Sequence, residues 1–306
     1  MKNLNMKKCI SATVSFASFA TLFAQEILIV STSDVSIYEE GTSSVEFGAQ
    51  TWRWSAAEDS AIPSSLKKNF VTYSDAKPFA GGKEIILTSC EGGWAIVDRA
   101  KKTARAWGVC GTEAFSIEMI GEDIVAVSGK DDKSQSGCVF LFDLKNEGKK
   151  ARFVFDKPRG LYWDKDRSLL WVLDAGALSG CKLNRDKEGA FSLNRYKIIS
   201  LVDRNTGLGC DLRPMPASTN TFLSATMKGM IRFVNFKTMR WHYNSSTIPV
   251  DAVNSYDSNI KGKSFFVRKR SDGSESDMLE KRMWGRKFAP FKRIKGASIR
   301  RARWVQ

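Results

Sequence analysis

The sequence predicts an all-β fold, a β-propeller with six blades arranged in a ring, and two observations predict it. Short apolar runs recur along the chain with their first residues 39 to 58 positions apart, close to the ~40 to 50 residues of a propeller blade. No stretch of 12 residues combines a 3.6-residue apolar period with capping residues, so long helices are not expected. The runs begin at Ile27, Ile85, Ile124, Leu169, Phe222 and Phe265.

Most apolar runs are followed by two more strand-like segments, which supply the next strands of a blade. The second segment of a unit, such as residues 94–99, usually ends near Asp or Asn, whose side chains bond the backbone of tight turns. The third, such as residues 103–107, alternates large apolar with polar residues. That alternation is typical of an outer strand with one solvated face.

A further strand is expected before each apolar run except the first, as the innermost strand of the blade. Examples are residues 115–119, 160–164, 210–213 and 253–256. The run at Ile27 has no such predecessor, and an unpaired inner strand invites aggregation. We therefore expect residues 298–304 to pair beside it and close the ring of six blades with the C-terminal strand.

The N-terminus predicts export. Lys7 and Lys8 precede an apolar run over residues 9–23, which has the length of a secretory signal and falls short of the ~20 residues of a spanning helix. Cleavage is expected after the small residue Ala24, so residues 1–24 form a signal peptide and residues 25–306 a single propeller domain. No later run reaches spanning length, which predicts a secreted or periplasmic protein without a transmembrane segment.

The positive charge is concentrated at the C-terminus. The chain has 48 Lys plus Arg against 33 Asp plus Glu, and residues 261–306 contain fifteen of the cations with only four acids. A basic segment favours anionic partners, although a solvated basic rim is the simpler alternative. Cations alternate there with the aromatic residues Trp284 and Trp304, a combination that proteins also use to bind single-stranded nucleic acid. The predicted export signal argues against a nucleic-acid partner.

Histidine and cysteine usage limits the chemistry. His242 is the single histidine, which removes most imidazole-based metal and base sites. The cysteines beyond the signal peptide are odd in number and lack a CxxC pair, so zinc is disfavoured, at most two disulfides fit, and most are expected to be packed thiols. They are Cys90, Cys110, Cys138, Cys181 and Cys210.

Several short motifs, weak alone but specific in their order, resemble one known group of proteins. They are Val97-Asp98-Arg99, Leu141-Phe142-Asp143-Leu144, Leu161-Tyr162-Trp163-Asp164, Asp211-Leu212-Arg213-Pro214-Met215-Pro216 and Ala302-Arg303-Trp304. From about residue 27 to residue 304 the chain resembles a family of secreted bacterial six-bladed β-propellers with no assigned function. The resemblance implies that histidine is frequent just before three inner strands. This chain has Phe115, Arg159 and Cys210 there, so a histidine cluster serving a metal or a base in relatives is lost.

The candidate site is the mouth of the central channel, where propellers bind ligands and inner strands converge. The residues expected to bind a ligand there are Glu113, Phe115, Ser116, Arg159, Cys210, Asp211, Asn254, Arg301 and Arg303. Alternation places Arg301 and Arg303 on one face of the last strand, and with Arg159 they favour an anionic ligand such as a uronate or sulfated glycan. We predict a monomeric binding or scaffold module for an acidic glycan or another small ligand.

The alternative is a degenerate or metal-assisted polysaccharide lyase or hydrolase. Such an enzyme needs a base near neutral pH and often a divalent cation, which Asp211, Glu113 and Glu118 would bind through oxygen. Three acids on different blades are more often solvated channel groups, and no Gly-x-Ser-x-Gly elbow is present. We therefore assign no catalytic residue, metal or cofactor.

Two other features are given structural interpretations. Most tryptophans fall at alternating positions of predicted strands, where packing between blades explains them. Residues 272–277, Asp-Gly-Ser-Glu-Ser-Asp, are too polar to pack and predict a loop.

Overall fold

The fold is taken from a computed structural model of the chain. The predicted signal peptide, residues 1–24, lies outside the described residues, as do His242 and Trp284. The described residues are 25–146, 150–200, 209–216, 222–227, 230–235, 238, 240–241, 248–249, 253–282 and 288–305.

Within these ranges the chain forms 25 strands and a single 3-10 helix, η1, at Ser64–Phe70. The strands make six antiparallel sheets, and four strands follow one another side by side in each. The all-β prediction is therefore confirmed. The described part of the chain contains no helix with the length and apolar character needed to cross a bilayer.

The first three sheets cover roughly the N-terminal half of the chain. The first has the order β25-β1-β2-β3, with β1 Glu26–Ser31, β2 Val35–Glu39, β3 Gln50–Trp54 and β25 Ile299–Val305. The second contains β4 Tyr73–Phe79, β5 Glu84–Ser89, β6 Gly93–Asp98 and β7 Thr103–Val109. The third contains β8 Glu113–Ile120, β9 Ile124–Lys130, β10 Gly137–Asp143 and β11 Lys150–Val154.

The other three sheets repeat this arrangement. The fourth contains β12 Gly160–Asp164, β13 Leu169–Leu173, β14 Ala177–Arg185 and β15 Phe191–Ser200. The fifth contains β16 Gly209–Pro214, β17 Phe222–Met227, β18 Met230–Asn235 and β19 Arg240–Trp241, and β20 Ile248–Pro249 also pairs with β18. The sixth contains β21 Val253–Ser258, β22 Ser264–Arg268, β23 Met278–Arg282 and β24 Phe288–Arg293.

The first strand of each sheet contacts the first strand of the next sheet. These inner strands are β25, β4, β8, β12, β16 and β21, and β21 in turn contacts β25. Strand β25 pairs antiparallel with β1, from Glu26 opposite Val305 to Val30 opposite Arg301. The last strand of the chain thus occupies the edge of β1 that would otherwise be bare.

The apolar core lies between neighbouring sheets. The recurring apolar runs of the sequence form the second strand of each sheet. One of them, β13, is buried along its whole length, as expected of a strand covered on both faces. Leu28 and Trp52 of the first sheet pack with Ile85 of the second. Trp107 departs from the expected pattern, since 37% of it is exposed.

The inner strands differ from the rest of the core because they carry buried polar side chains. Asp75, Ser116, Asp211 and Ser255 are almost completely buried. The strands also approach closely: a Cβ at Gly160 in β12 would lie 2.8 Å from the Leu212 Cβ in β16, a contact that leaves room only for glycine. This polar centre is where the candidate site forms.

Candidate functional site

A pocket of about 380 Å³ lies where the N-terminal ends of the inner strands meet. We call it the axial pocket, and all six sheets contribute to its wall. It is lined by Ser74, Cys90, Glu113, Phe115, Arg159, Gly209, Cys210, Asn254, Lys269, Glu275, Arg300 and Arg301.

The structure places six of the nine sequence-predicted residues on this wall. They are Glu113, Phe115, Arg159, Cys210, Asn254 and Arg301. The other three, Ser116, Asp211 and Arg303, are buried and lie inward of Arg301, which both lines the pocket and pairs with Asp211. All nine therefore belong to one region, but these three do not line the pocket.

Asp75, Asp211, Arg301 and Arg303 form a buried group that we call the axial ion cluster. Arg303 Nη2 lies 2.7 Å from Asp211 Oδ1 and 3.1 Å from Asp75 Oδ1. Arg301 Nη1 lies 3.0 Å from Asp211 Oδ1 and 3.6 Å from Asp75 Oδ1. Both arginines come from β25, whereas the carboxylates come from β4 and β16, so two cations face two anions.

The electrostatics of Asp75 reflect this balance. Burial alone raises the pKa of the Asp75 carboxyl, but Arg301, Arg303 and Lys77 outweigh it and hold the pKa below its ordinary value. Ser116 Oγ also donates to Asp75 Oδ2 at 2.8 Å. Asp75 is therefore ionised at neutral pH and serves as a structural counterion.

A second set of paired charges continues along the inner strands. Lys77 Nζ lies 3.0 Å from Glu118 Oε2 and donates to the Leu161 carbonyl at 2.6 Å. Arg213 Nε lies 3.5 Å from Asp257 Oδ1. The contacts of Lys77 join the second, third and fourth sheets, and the Arg213–Asp257 pair separately joins the fifth and sixth, so polar contacts link the inner strands of neighbouring sheets.

The three acids suggested as hard-cation ligands are each engaged by a cation. Asp211 pairs with Arg301 and Arg303, Glu118 with Lys77, and Glu113 lies 3.5 Å from Lys130. Among the described residues, no three His, Cys, Asp or Glu side chains are placed to hold one metal ion. The oxygens that the lyase alternative requires are thus already used in ion pairs.

Arg159 differs from the other cations of the axial pocket. Its Cζ lies 3.6 Å from the centroid of the Phe115 ring, and its buried Nε has no hydrogen-bond partner. No carboxylate of the described residues lies within 4.0 Å of its guanidinium. Burial lowers the pKa of Arg159 from its ordinary value, and the charge of Arg301 lowers it further, whereas Cys210 and Glu113 oppose the shift.

Two other pocket cations, Arg300 and Lys269, share the carboxylate of Glu275, whereas Arg301 pairs with Asp211. The Glu275 carboxylate lies 3.3 Å from Arg300 Nε and 3.9 Å from Lys269 Nζ, and accepts from Asn254 Nδ2 at 2.8 Å. The expectation that residues 272–277 are too polar to pack is wrong for Glu275, because pairing with these groups compensates for its burial. Among the described residues, Arg159 is therefore the cation of the pocket that lies beside no carboxylate.

Sequence reasoning missed Asp75 and Lys77 because strand β4 has no continuous apolar run. A signal was present: Asp75-Ala76-Lys77 repeats the Asp-x-cation spacing of Asp211-Leu212-Arg213 on another inner strand. Lys269 and Glu275 had no comparable sequence signal. They follow strand β22, and the pairing of β22 with β21 places them at the pocket.

All five described cysteines are free thiols. Cys110, Cys138 and Cys181 are buried, as expected of packed strand residues, and burial raises the pKa of Cys110 and of Cys181 to about 12. Cys90 and Cys210 are partly exposed and line the axial pocket. Cys90 Sγ lies 2.8 Å from Arg300 Nη1.

Comparisons with known proteins bear on the family and the fold. The sequence model of a family of unknown function, DUF6528, matches residues 41–238. No curated protein matches the chain in sequence. A WD40 propeller chain in the crystal structure of the mitotic checkpoint complex is similar, with a TM-score of 0.53 and 12% identity over 87% of this chain and 72% of that chain. At that identity the similarity shows a propeller-like fold and nothing about function.

Proposed function

Since the chain belongs to the DUF6528 family, whose description assigns no function, we propose one from the axial pocket. The protein is an exported binding module that holds the acidic group of a glycan, or of another small anion, against Arg159. The observation that carries this proposal is the stacked guanidinium of Arg159 with its unpartnered, buried Nε.

The proposal includes the architecture that creates the pocket. The six sheets act as the blades of one ring, and β25 closes it by pairing with β1. The chain of contacts between inner strands and the antiparallel β25–β1 register support this arrangement. In such a ring the ends of the inner strands form a mouth that is rigid on all sides, a usual place for a propeller ligand.

The chemistry of Arg159 suits a carboxylate or a sulfate ester. A guanidinium offers five N–H donors in a planar fork that matches these anions, and its charge is permanent near neutral pH. The Phe115 ring holds the guanidinium in place, so little side-chain entropy remains to be lost on binding. A cavity of about 380 Å³ is at the small end of ligand sites and accommodates one or two sugar residues.

The pocket also explains why a binding role is favoured over catalysis. Glu113 and Glu275 on its wall lie beside cations, and Asp211 is buried behind Arg301. A general base must reach the proton that it removes, and these carboxylates are occupied. The predicted signal peptide supports a secreted or periplasmic setting for the module, which we take to act as a monomer.

The test is an array of neutral, uronate-containing and sulfated glycans probed with the mature chain, residues 25–306, with parallel analysis of soluble products. We expect retention on acidic glycans, no product, and loss of retention in Arg159→Gln but not in Arg53→Gln, which removes a cation from outer strand β3. Equal retention on neutral glycans, or retention unchanged in Arg159→Gln, would overturn the proposal. Release of soluble glycan products by the wild-type chain would show an enzyme instead.

A further inference from the structure

A second basic cavity lies where the first and sixth sheets meet, away from the axial pocket. It measures about 420 Å³, and we call it the seam pocket. The loop after β2 forms one side, and the β21–β22 turn, β23 and β24 supply the other. Its lining consists of Glu40, Gly41, Thr42, Ser43, Ser44, Lys263, Lys281, Phe291 and Lys292.

Three lysine ammonium groups surround a single ring in this pocket. The Nζ atoms of Lys263, Lys281 and Lys292 lie 5.1, 5.7 and 5.8 Å from the centroid of Phe291. Glu40 is the one acidic side chain in the lining, and it is engaged by Lys263. The pocket therefore holds two more positive than negative charges.

Lys292 is placed to act as a buried donor. Only 1% of it is exposed, and its Nζ donates to the carbonyls of Ser43 and Glu46. An ammonium has three donors, so one N–H remains beyond these two contacts. Burial lowers the pKa of Lys292, and the neighbouring Lys263 and Lys281 lower it further while Glu40 opposes them, as expected of crowded cations.

Lys281 has no counterion in the described structure. No carboxylate of the described residues lies within 4.0 Å of its Nζ, in contrast to Lys263 beside Glu40. The three ammonium groups around Phe291 outnumber the one carboxylate of the lining, and binding an anion relieves their mutual repulsion. Lysine ammonium groups act as point charges toward phosphate-like groups, and the hydroxyls of Thr42, Ser43 and Ser44 add donors nearby.

We propose that the seam pocket binds a tetrahedral oxyanion of the sulfate or phosphate class, either free or as an ester group. Lys281 and Lys263 would face the anion from β23 and the β21–β22 turn, and Lys292 from β24. The site is separate from the axial pocket and does not depend on the function proposed there.

Binding at this place would stabilise the junction of the first and last sheets. The Arg293 N–H donates to the Val45 carbonyl at 2.7 Å, and Glu46 forms a parallel bridge with Arg293. Lys292 holds the same loop through Ser43 and Glu46. An anion that neutralises the lysines therefore favours the folded, joined state by mass action.

The test measures binding of sodium sulfate and sodium phosphate to the mature chain by calorimetry, with Tm recorded beside sodium chloride at equal ionic strength. We expect saturable binding and a Tm rise in the wild type. In Lys281→Gln the affinity should fall at least tenfold. Lys101→Gln, which removes an exposed cation from the second sheet, should bind as the wild type does.

Sulfate also stabilises proteins generally through exclusion from their surface, so the variants decide the outcome. A Tm rise of equal size in wild type and Lys281→Gln, without saturable binding, would overturn the proposal. Binding lost in Arg159→Gln but kept in Lys281→Gln would place the anion in the axial pocket and also contradict it. A competition titration distinguishes the two forms of the ligand. Displacement of free phosphate by a sulfated oligosaccharide shows that the seam pocket accepts an ester group, and no displacement shows that it binds the free anion.

Discussion

The guanidinium of Arg303 donates to Asp211 Oδ1 at 2.7 Å, although 92 positions separate the two residues in the sequence. Both side chains are buried, so neither charge has water to solvate it. If β25 left the sheet, Asp211 and Asp75 would lose the arginines that neutralise them. The last strand is therefore held by charge pairing at the centre of the fold as well as by its ladder with β1.

Replacing Arg303 with methionine should destabilise the protein strongly. The change keeps the apolar volume but leaves Arg301 as the one arginine paired with both buried carboxylates, and breaking a buried ion pair from one side costs about 3 to 5 kcal/mol. Urea unfolding of the mature chain at pH 7 measures the difference. Arg53→Gln is the control, because surface pairs such as Arg53 with Glu58 contribute about 0 to 1 kcal/mol. Equal losses in the two variants would show that the axial ion cluster is not structural.

The contribution of Asp75 should depend on pH in the acid range. Its folded pKa lies below the ordinary value because the cations of the axial ion cluster outweigh burial. A group with a depressed folded pKa contributes stability above its unfolded pKa, about 3.9, and this is lost as the pH falls through the folded pKa. We expect the gap in unfolding free energy between wild type and Asp75→Asn to be constant from pH 8 to 5 and to shrink below pH 4. A gap that closes between pH 7 and 5 would contradict this.

Thiol labelling should distinguish the pocket cysteines from the core cysteines. Iodoacetamide reacts with exposed thiolates, so Cys90 and Cys210 in the axial pocket should be modified before Cys110, Cys138 and Cys181 in the native mature chain. Burial also raises the pKa of Cys210, so Cys90 should react first. Peptide mass spectrometry after timed labelling gives the order, and Cys90→Ser should remove the fastest phase. Early labelling of Cys110 or Cys181 would contradict the described packing.

Removing the last strand should abolish the folded monomer. A mature chain ending at Lys295 loses the partner of β1 and both arginines of the axial ion cluster. We expect aggregation and loss of a single cooperative unfolding transition, because β1 presents a bare apolar edge. A chain lacking only Gln306 is the matched control and should behave as the full mature chain does. A soluble, cooperatively folded chain without β25 would refute closure of the ring by this strand.

The second strands could be predicted from the sequence because sheets cover both of their faces. Such strands appear as apolar runs without alternation, and Leu169–Leu173 is an example that is buried throughout. Inner strands carry the opposite signal, since buried aspartates interrupt them. The residues of the strand expected before Ile85, β4, were not identified for this reason. Asp75 was missed with them, and its burial is offset by arginines more than 200 positions away.

The residues of the pocket wall at the N-terminal ends of inner strands could be predicted from the sequence. Those in the segment between β22 and β23 could not. Phe115, Arg159 and Cys210 lie just before or at the start of inner strands, which the strand pattern locates. Lys269 and Glu275 reach the same pocket from beyond β22, and their position follows from sheet pairing that is not local in sequence. The stacking of Arg159 on Phe115 likewise joins two neighbouring sheets.

The most direct measurement is calorimetric titration of a uronic-acid tetrasaccharide, with its neutral counterpart beside it, into wild type, Arg159→Gln and Arg53→Gln. A charge-assisted hydrogen bond contributes about 1.5 to 3 kcal/mol, so we predict that Arg159→Gln binds the acidic tetrasaccharide at least tenfold more weakly, while Arg53→Gln matches the wild type and the neutral sugar binds none of them. Equal affinity of wild type and Arg159→Gln for the acidic sugar would contradict the assignment of Arg159 as the anion-binding group.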